Sequence, residues 1–245
     1  MKNTLVIFAT LLSMGGLFII DAHAQDNSKP RLIAAFSAST LGFGVQVARP
    51  VTSKSAVRGG FNFFNYNRAF GRDGTTYTGQ LRLRSFSLQY DQYLVAGLHV
   101  SGGALIWNGN KGDATVSAPG GQIFTLGGVK YFSDPASPVS GSSALRFKKA
   151  APMALIGYGN LPSKGRIAYS VDAGVVFQGS PRATLSLAGN ACIIGGGGAG
   201  LAPCPNVATI LGFQSSLAAE QAMLNEDLSP FKYYPVIQFT IGYKF

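Results

Sequence analysis

Apolar and polar residues alternate with a period of two along much of this chain, most clearly in its last segment. From Tyr233 to Phe245 every odd position is apolar or aromatic, and the even positions include Gln238, Thr240 and Lys244. This period is that of a β-strand with one apolar and one polar face. In a membrane barrel, the apolar face contacts lipid and the polar face lines the interior. The pattern therefore predicts a barrel strand at this end of the chain.

The same alternation predicts eight strands, separated by short turns and longer loops in the manner of outer-membrane barrels. We predict an all-β fold, a transmembrane antiparallel up-and-down barrel. Eight strands place both ends of the chain on one side of the membrane, and ten remain possible if a hairpin at 114–129 belongs to the wall. The predicted strands are 31–38, 42–50, 56–67, 76–91, 97–108, 144–159, 166–187 and 232–245.

The strand 76–91 changes phase along its length. Apolar residues occupy odd positions up to Leu83, whereas Phe86, Leu88 and Tyr90 occupy even positions. A β-bulge after Arg84 would account for the change. With this bulge, the barrel interior is predicted to hold a polar cluster, which consists of Arg58, Gln80, Arg82, Arg84 and Asp172. An eight-stranded barrel has room for side chains or one small ligand, so the cluster either fills the lumen with ion pairs or lines a narrow anion-favouring path.

The first residues have the features of a secretory signal peptide. Lys2 precedes an apolar run at 5–20, and the small residues Ala22 and Ala24 form a cleavage site before Gln25. We predict a signal peptide at 1–24 and a single barrel domain at 25–245.

Composition and charge agree with this class of protein. The chain has 32 Gly, only 12% charged residues, and 17 Phe and 10 Tyr against one Trp, as expected when few charges face lipid and aromatic residues line the interfaces. The net charge of +10 comes from scattered basic residues. In an exported protein these favour lipopolysaccharide phosphates or small anions over nucleic acid. The predicted partners are the lipid bilayer, lipopolysaccharide and the barrel-insertion machinery.

The candidate chemistry is sparse. Cys192 and Cys204 are the only cysteines, and their spacing in an exported loop predicts a disulfide rather than a redox motif. His99, beside Ser101, falls near the predicted periplasmic end of a strand. Known barrel enzymes such as lipid A deacylases use a Ser-His pair near the outer leaflet, so we predict a lumenal or interfacial histidine without a catalytic role. No catalytic, cofactor or metal site is predicted, and the chain is not expected to be an enzyme.

The last long loop contains one short helix, predicted at 214–228. Ser215 or Ser216 is a possible N-cap, and Pro230 follows the end of the helix. Two positions stay open for this helix: packing on the barrel rim or on its own loop, or insertion into the lumen as a plug.

Three segments carry a resemblance to known proteins: GFNFFNYN at 60–67, FQGSP at 177–181 and FKYYPV at 231–236. They resemble a family of small bacterial outer-membrane proteins, which implies the fold without implying an activity. The aromatic C-terminus resembles the outer-membrane insertion signal, which implies that role for Phe239, Ile241, Tyr243 and Phe245.

More distantly, the chain is similar to OmpW-type barrels, which implies passage of small hydrophobic compounds, and to OmpA-type barrels, which implies a role as a structural anchor. The expected function is therefore a non-enzymatic envelope role in the outer membrane, structural or as a narrow passage for solutes. Surface interaction through the outer loops is the alternative, and a lipid-modifying enzyme is a remote third.

Overall fold

The computed structural model describes residues 32–72, 75–161, 163, 165–194 and 203–245. The predicted signal peptide at 1–24 lies outside these residues. Within them the chain forms antiparallel strands, one α-helix, and two short 3-10 helices at Val207–Thr209 and Ser229–Lys232. The elements are β1 Ile33–Ser39, β2 Gly42–Thr52, β3 Ser55–Arg72, β4 Thr75–Tyr93, β5 Leu98–Asn108, β6 Lys111–Ala118, β7 Ile123–Leu126, β8 Val129–Ser133, β9 Val139–Arg146, β10 Ala151–Gly159, β11 Ile167–Val176, β12 Arg182–Ala188, β13 Ala191–Ile193, α1 Leu211–Asp227 and β14 Tyr234–Lys244.

Eight of the strands pair in a ring, in the order β4-β3-β2-β1-β14-β11-β10-β5 and back to β4. The first and last strands of the ring pair antiparallel with each other, and Ile33 lies opposite Lys244. The predicted all-β, antiparallel class is confirmed. The hairpin expected at 114–129 covers most of β6, all of β7 and the first residue of β8. These strands lie outside the ring, so the structure gives no support to a ten-stranded wall.

Two of the predicted wall strands are each divided in two. The segment 144–159 becomes β9 and β10, and the segment 166–187 becomes β11 and β12; only β10 and β11 belong to the ring. The second division occurs at Gly179-Ser180-Pro181, where Gly179 has a φ of +70° and Pro181 lacks the N–H that a strand ladder needs. Because apolar residues alternate on both sides of this break, the sequence pattern alone does not reveal that the chain leaves the ring there.

Strands β6, β9 and β12 continue the sheet beyond the ring, beside the far half of β4. Within β4, the residues from Ser85 to Tyr93 pair with β5, whereas those from Thr76 to Arg82 pair with β6. We call β6–β9, β12, β13 and α1 the extension. Its hydrophobic core, which is separate from the ring, contains Val116, Ala118, Phe124, Leu126, Tyr131, Val139, Leu185, Ala191, Val207 and Phe213.

Helix α1 packs on the extension and contacts β12 and β7. Phe213 and Ser216 are its buried residues, and the Tyr131 hydroxyl lies 2.8 Å from the Ser216 hydroxyl. The helix begins at Leu211, three residues before the predicted start. Ile210 is its N-cap and makes no side-chain capping bond, so Ser215 and Ser216 are not N-caps. No helix in the described part of the chain is both long and apolar enough to cross a bilayer.

A disulfide joins Cys192 of β13 to Cys204, as predicted, with their Cα atoms 5.1 Å apart. Both cysteines are buried. The backbone N–H of Cys204 donates to Asp134 Oδ2 at 3.2 Å. The bridge therefore ties the segment that leads into α1 to the small β7-β8-β13 sheet.

Candidate functional site: the polar interior of the ring

The guanidinium of Arg58 lies inside the ring and is 1% exposed. Its Nη1 donates to Asp172 Oδ2 at 2.9 Å and to the Ser170 hydroxyl at 3.3 Å. Its Nη2 donates to Asp91 Oδ1 at 2.9 Å and to Gln89 Oε1 at 3.0 Å. One side chain from β3 thus connects β4 and β11 across the lumen.

The carboxylates on either side of Arg58 are themselves held by further donors. The Ser101 hydroxyl donates to Asp91 Oδ1 at 2.6 Å, and the Ser170 hydroxyl donates to Asp172 Oδ2 at 2.9 Å. Asp172 Oδ1 accepts from His99 Nε2 at 2.7 Å. Asp91, Asp172 and His99 are fully buried. Such charges are stable away from water only when paired and hydrogen-bonded. A network of seven residues supplies the ion pairs and most of the hydrogen bonds, and only Arg58 Nε and Asp91 Oδ2 have no hydrogen-bond partner among the described residues. Its members are Arg58, Gln89, Asp91, His99, Ser101, Ser170 and Asp172. We call it the lumen network.

Gly157 makes the contact between His99 and Asp172 in the lumen network possible. This residue of β10 lies opposite Asp172 on one side and opposite His99 on the other. A Cβ at this position would be 2.5 Å from Asp172 Oδ1 and 2.7 Å from His99 Nε2. The absence of a side chain on β10 therefore lets the imidazole and the carboxylate meet across that strand.

The hydrogen bonds of His99 do not position it to act as a general base toward a hydroxyl group. Its Nε2 is bonded to Asp172, and its Nδ1 lies 3.4 Å from the carbonyl oxygen of Gly97. The neighbouring Ser101 hydroxyl is directed to Asp91 instead. A Ser-His catalytic pair requires a hydrogen bond between hydroxyl and imidazole, and His99 makes none. Among the described residues, no group of three or more His, Cys, Asp or Glu could hold a metal ion.

Apolar layers cover the lumen network on both sides along the barrel axis. Toward the extension lie Leu41, Leu105, Ala151, Met153, Leu155, Val176 and Val236. Toward the two ends of the described chain lie Ile33, Ala48, Tyr93, Leu161 and Ala168. At that rim the Lys244 ammonium also donates to the carbonyl oxygens of Asn160 and Ser163. In the described residues the lumen network therefore lies between two clusters of buried apolar side chains.

The five residues predicted to share the lumen do not all meet there. Arg58 and Asp172 are brought together, but the prediction is wrong for Gln80, Arg82 and Arg84. The register of β3 with β4 runs without a shift from Arg72 opposite Thr75 to Ser55 opposite Gln92. Without a bulge, these three side chains point to the outer face of the extension, where both Nε and Nη2 of Arg82 donate to Gln80 Oε1.

The physical reason is that the outward environment changes along β4. Near Phe86 and Leu88 the outer face of the ring is apolar and the inner face is polar. At Leu81 and Leu83 the strand has entered the extension, whose inner face is apolar and whose outer face is polar. The apolar side chains change face while the backbone keeps its phase. The one irregularity lies on the other side of β4, against β5, between Phe86 and Ser87.

Several members of the lumen network were not predicted. Gln89 and Asp91 alternate with the outward-facing Leu88 and Tyr90, so the pattern near the end of β4 contained a signal for them. Ser101 and Ser170 had no such signal, because a serine on the polar side of a strand carries no information about its partner. The pairing of His99 with Asp172, which lie 73 positions apart, also depends on the order of strands in the ring.

The four residues of the predicted insertion signal lie in a line on the outer face of the ring. The exposed fractions are 56% for Phe239, 63% for Ile241, 43% for Tyr243 and 68% for Phe245. The Tyr243 and Phe245 rings make an edge-to-face contact, with centroids 5.1 Å apart. Their role in insertion stays a prediction.

Comparison with known proteins identifies the fold. Neither a scan against protein families nor a search of curated protein sequences found a match. Among solved structures, CarO of Acinetobacter baumannii is similar with a TM-score of 0.53 and 16% identity over 88% of this chain and 98% of that one. CarO2 of the same organism is similar with a TM-score of 0.55 and 16% identity over 89% of this chain and 100% of that one. This chain therefore shares the overall fold of the two CarO structures.

Proposed function

We propose that this protein is an integral outer-membrane β-barrel with a closed lumen and a non-enzymatic, structural role in the envelope. On this proposal residues 1–24 form the export signal, residues 25–245 form the barrel domain, and the ring spans the membrane. The observation that carries the proposal is the distribution of apolar and polar side chains on the ring, which is the reverse of that in a soluble protein. Its outer face is apolar and exposed, whereas its interior is polar, ionic and buried.

The outer face of the ring supports membrane insertion. Large apolar side chains alternate along the ring strands and are exposed on every one of them, from Phe36 of β1 at 72% to Ile241 of β14 at 63%. Soluble monomers rarely expose a continuous apolar patch of this kind. Five ring strands, β2, β5, β10, β11 and β14, have 9 to 11 residues, and a tilted transmembrane strand needs about 9–11.

The buried ion-pair network inside the ring supports a structural role over solute passage. Arg58 joins carboxylates from two other strands inside the lumen, and apolar layers lie on both sides of it. A conducting path through this arrangement would require Arg58 or its partners to give up buried ion pairs, which is costly. For the same reason, the anion path considered from the sequence is not favoured. The OmpW-like and OmpA-like alternatives stay predictions, and the closed lumen favours the second.

The extension favours a second function, surface interaction. It has its own core and disulfide, and it adds a sheet and a helix beyond the ring. Structure of this extent is not needed to close the ring strands. If the ring spans the membrane, the extension lies outside it on one side, where it is available to a partner.

The test is single-channel recording in planar bilayers with refolded full-length protein. Folding is verified first by the difference in gel mobility between heated and unheated samples, since this measures the barrel independently of conductance. We expect folded protein to insert and to give no discrete current steps. Regular steps from folded protein would contradict the closed lumen, and failure to associate with lipid vesicles would contradict the membrane assignment.

A further inference from the structure

Four basic residues form a row across the outer face of the extension. Arg82 of β4 lies opposite Lys111 of β6, Lys111 lies opposite Arg146 of β9, and Arg146 lies opposite Arg182 of β12. Directly opposite residues of neighbouring antiparallel strands point to the same face, with Cβ atoms about 4.5–5.5 Å apart. We call Arg82, Lys111, Arg146 and Arg182 the cationic row.

The cationic row is poorly compensated within the protein. Asp113 pairs with Arg146 at 2.7 Å and with Lys111 at 3.7 Å. The hydrogen bond from Arg146, together with the charges of Arg146, Lys111 and Arg82, lowers the pKa of this carboxyl below its usual value. Among the described residues, no acidic side chain is within ion-pair distance of Arg182 or Arg82. Like charges directly opposite each other destabilise a sheet, so the row carries a cost that a bound anion would offset.

The position of the row relative to the ring indicates which anion it meets. Arg82 lies four residues beyond Phe86 on the same face of β4, a distance of about 13 Å along the strand. Between them Arg84, also on the outer face, lies opposite the exposed Phe63. The only tryptophan, Trp107, is 46% exposed and stacks on Phe61 at 6.4 Å. Aromatic side chains of this kind sit at the headgroup level of a membrane barrel.

We propose that the cationic row binds the phosphate groups of an outer-leaflet phosphoglycolipid, whose headgroup lies beside the aromatic band of Phe61, Phe63, Phe86 and Trp107 and whose acyl chains continue from there along the apolar outer face of the ring. This inference rests on the proposed membrane insertion of the ring. Guanidinium groups bind phosphate oxygens in bidentate fashion, and three of the four members are arginines. An extended row on one sheet face can also contact two phosphates of one headgroup at once.

A membrane-anchored phosphate fits this surface better than a free one. Arg146 and Lys111 are 50% and 40% exposed, so the row forms an open surface without walls around an anion. Exposed charge pairs are individually weak. Binding here therefore requires several contacts made together and an apolar anchor beside them, and a phosphoglycolipid seated on the aromatic band provides both.

The test measures lipid retention by native mass spectrometry of refolded full-length protein in zwitterionic micelles. The probes are diphosphoryl lipid A, the same lipid with its phosphates removed, and inorganic pyrophosphate. The test variant is R82Q/R146Q/R182Q, which leaves the Lys111–Asp113 pair in place. The matched control is R49Q/K54Q/R166Q, which removes three exposed cations at the opposite rim and gives the same net charge. Heat-dependent gel mobility verifies that each protein is folded.

We expect wild type and the control to retain diphosphoryl lipid A equally. The test variant should bind it about tenfold more weakly, because three exposed charge contacts, each weak alone, together account for about this much. Retention of dephosphorylated lipid should be low for all three proteins. Equal loss in the test variant and the control would mean general charge attraction and would overturn the site.

Pyrophosphate binding as tight as lipid A binding would overturn the lipid assignment in favour of a soluble anion. Equal retention of lipid A by wild type and the test variant would overturn the proposal altogether. These outcomes are measured with folded protein in micelles. Failure of the membrane assignment itself would appear separately, as wild-type protein that folds but does not enter lipid vesicles.

Discussion

Arg58 and Asp172 are 114 positions apart in the sequence, and their charged groups meet at 2.9 Å inside the ring. The contact joins β3 to β11, which are not neighbours in the sheet. It therefore depends on closure of the ring as a whole. Because both residues are buried, neither can exchange its partner for water.

The first prediction concerns the loss of this central cation. Arg58→Met leaves Asp91 and Asp172 as buried carboxylates without their main partner. We expect the free energy of unfolding to fall by about 3–5 kcal/mol, since removing one member of a buried ion pair exposes the full desolvation cost of the other. Urea titration of refolded protein, followed by gel mobility, measures the change. Arg49→Met, at an exposed position of β2, is the control and should be nearly neutral; similar midpoints for the two variants would refute a central role for Arg58.

A second prediction uses the space at Gly157. Gly157→Ala places a methyl group where Asp172 and His99 meet. The methyl carbon would also be 2.7 Å from the carbonyl oxygen of Val171, which belongs to the backbone and cannot shift unless β11 moves. We expect a loss of about 1–3 kcal/mol, the usual cost of overpacking, in the same urea titration. Gly102→Ala is the matched control, because a Cβ there meets nothing within 4 Å. Equal stability of both variants would show that the interior is looser than its contacts indicate.

A third prediction tests the lipid-facing side of the ring. Val45→Arg puts a charge near the middle of β2, at a position that is 48% exposed and points outward. We expect folding into phosphatidylcholine vesicles to be destabilised by about 2–4 kcal/mol, as for a cation at the bilayer midplane. Val51→Arg, near the turn at the end of the same strand, should cost far less. If Val45→Arg folds into vesicles as well as wild type does, the outer face of β2 is not in lipid.

The disulfide supports a fourth prediction. Replacing Cys192 and Cys204 with serine should destabilise the extension by about 3 kcal/mol, the value expected for closing a loop of this length. The ring should stay intact, because none of its pairings includes either cysteine. Limited proteolysis should therefore cut the extension faster, while heat-dependent gel mobility is unchanged. Simultaneous loss of both signals would mean that the ring and the extension unfold as one unit.

A fifth prediction concerns the last residue. Phe245→Ser removes an exposed aromatic group from the end of β14, while the backbone N–H of residue 245 can still donate to the carbonyl oxygen of Leu32. If Phe245 is part of an insertion signal, assembly in cells should slow severalfold. Refolding of purified protein in detergent should reach the same yield as wild type. Impaired refolding in detergent would instead indicate a role in ring stability.

The ring could be predicted largely from the sequence, because lipid on one side and a polar interior on the other impose a strict alternation. β14 shows this directly, since all its outward residues from Ile237 to Tyr243 are apolar. The extension could not be separated from the ring in this way. Apolar and polar residues alternate in its strands as well, but there the apolar side chains face a hydrophobic core instead of lipid. Alternation alone does not show whether the apolar face of a strand points to lipid or to a core.

The lumen network illustrates a different limit. That Arg58 and Asp172 face inward follows from the phase of each strand. That they meet at one height, with His99 on the far side of Gly157, depends on strand order, stagger and ring closure. These are properties of long-range pairing, which local patterns do not contain. The error for Arg82 and Arg84 has a local cause. Their side of the strand follows from the assumption that the apolar side chains of β4 face lipid along its whole length, whereas both residues lie beyond the part of β4 that pairs with β5.

β4 belongs to the ring and to the extension as one strand of 19 residues without a break. If the ring spans a membrane, the extension cannot swing freely like a domain on a linker, because its sheet is a continuation of the wall. A change in bilayer thickness that tilts the ring would then tilt α1 and the disulfide-linked sheet by the same angle. The distant end of the protein would thus report the thickness of the membrane in which the ring is embedded.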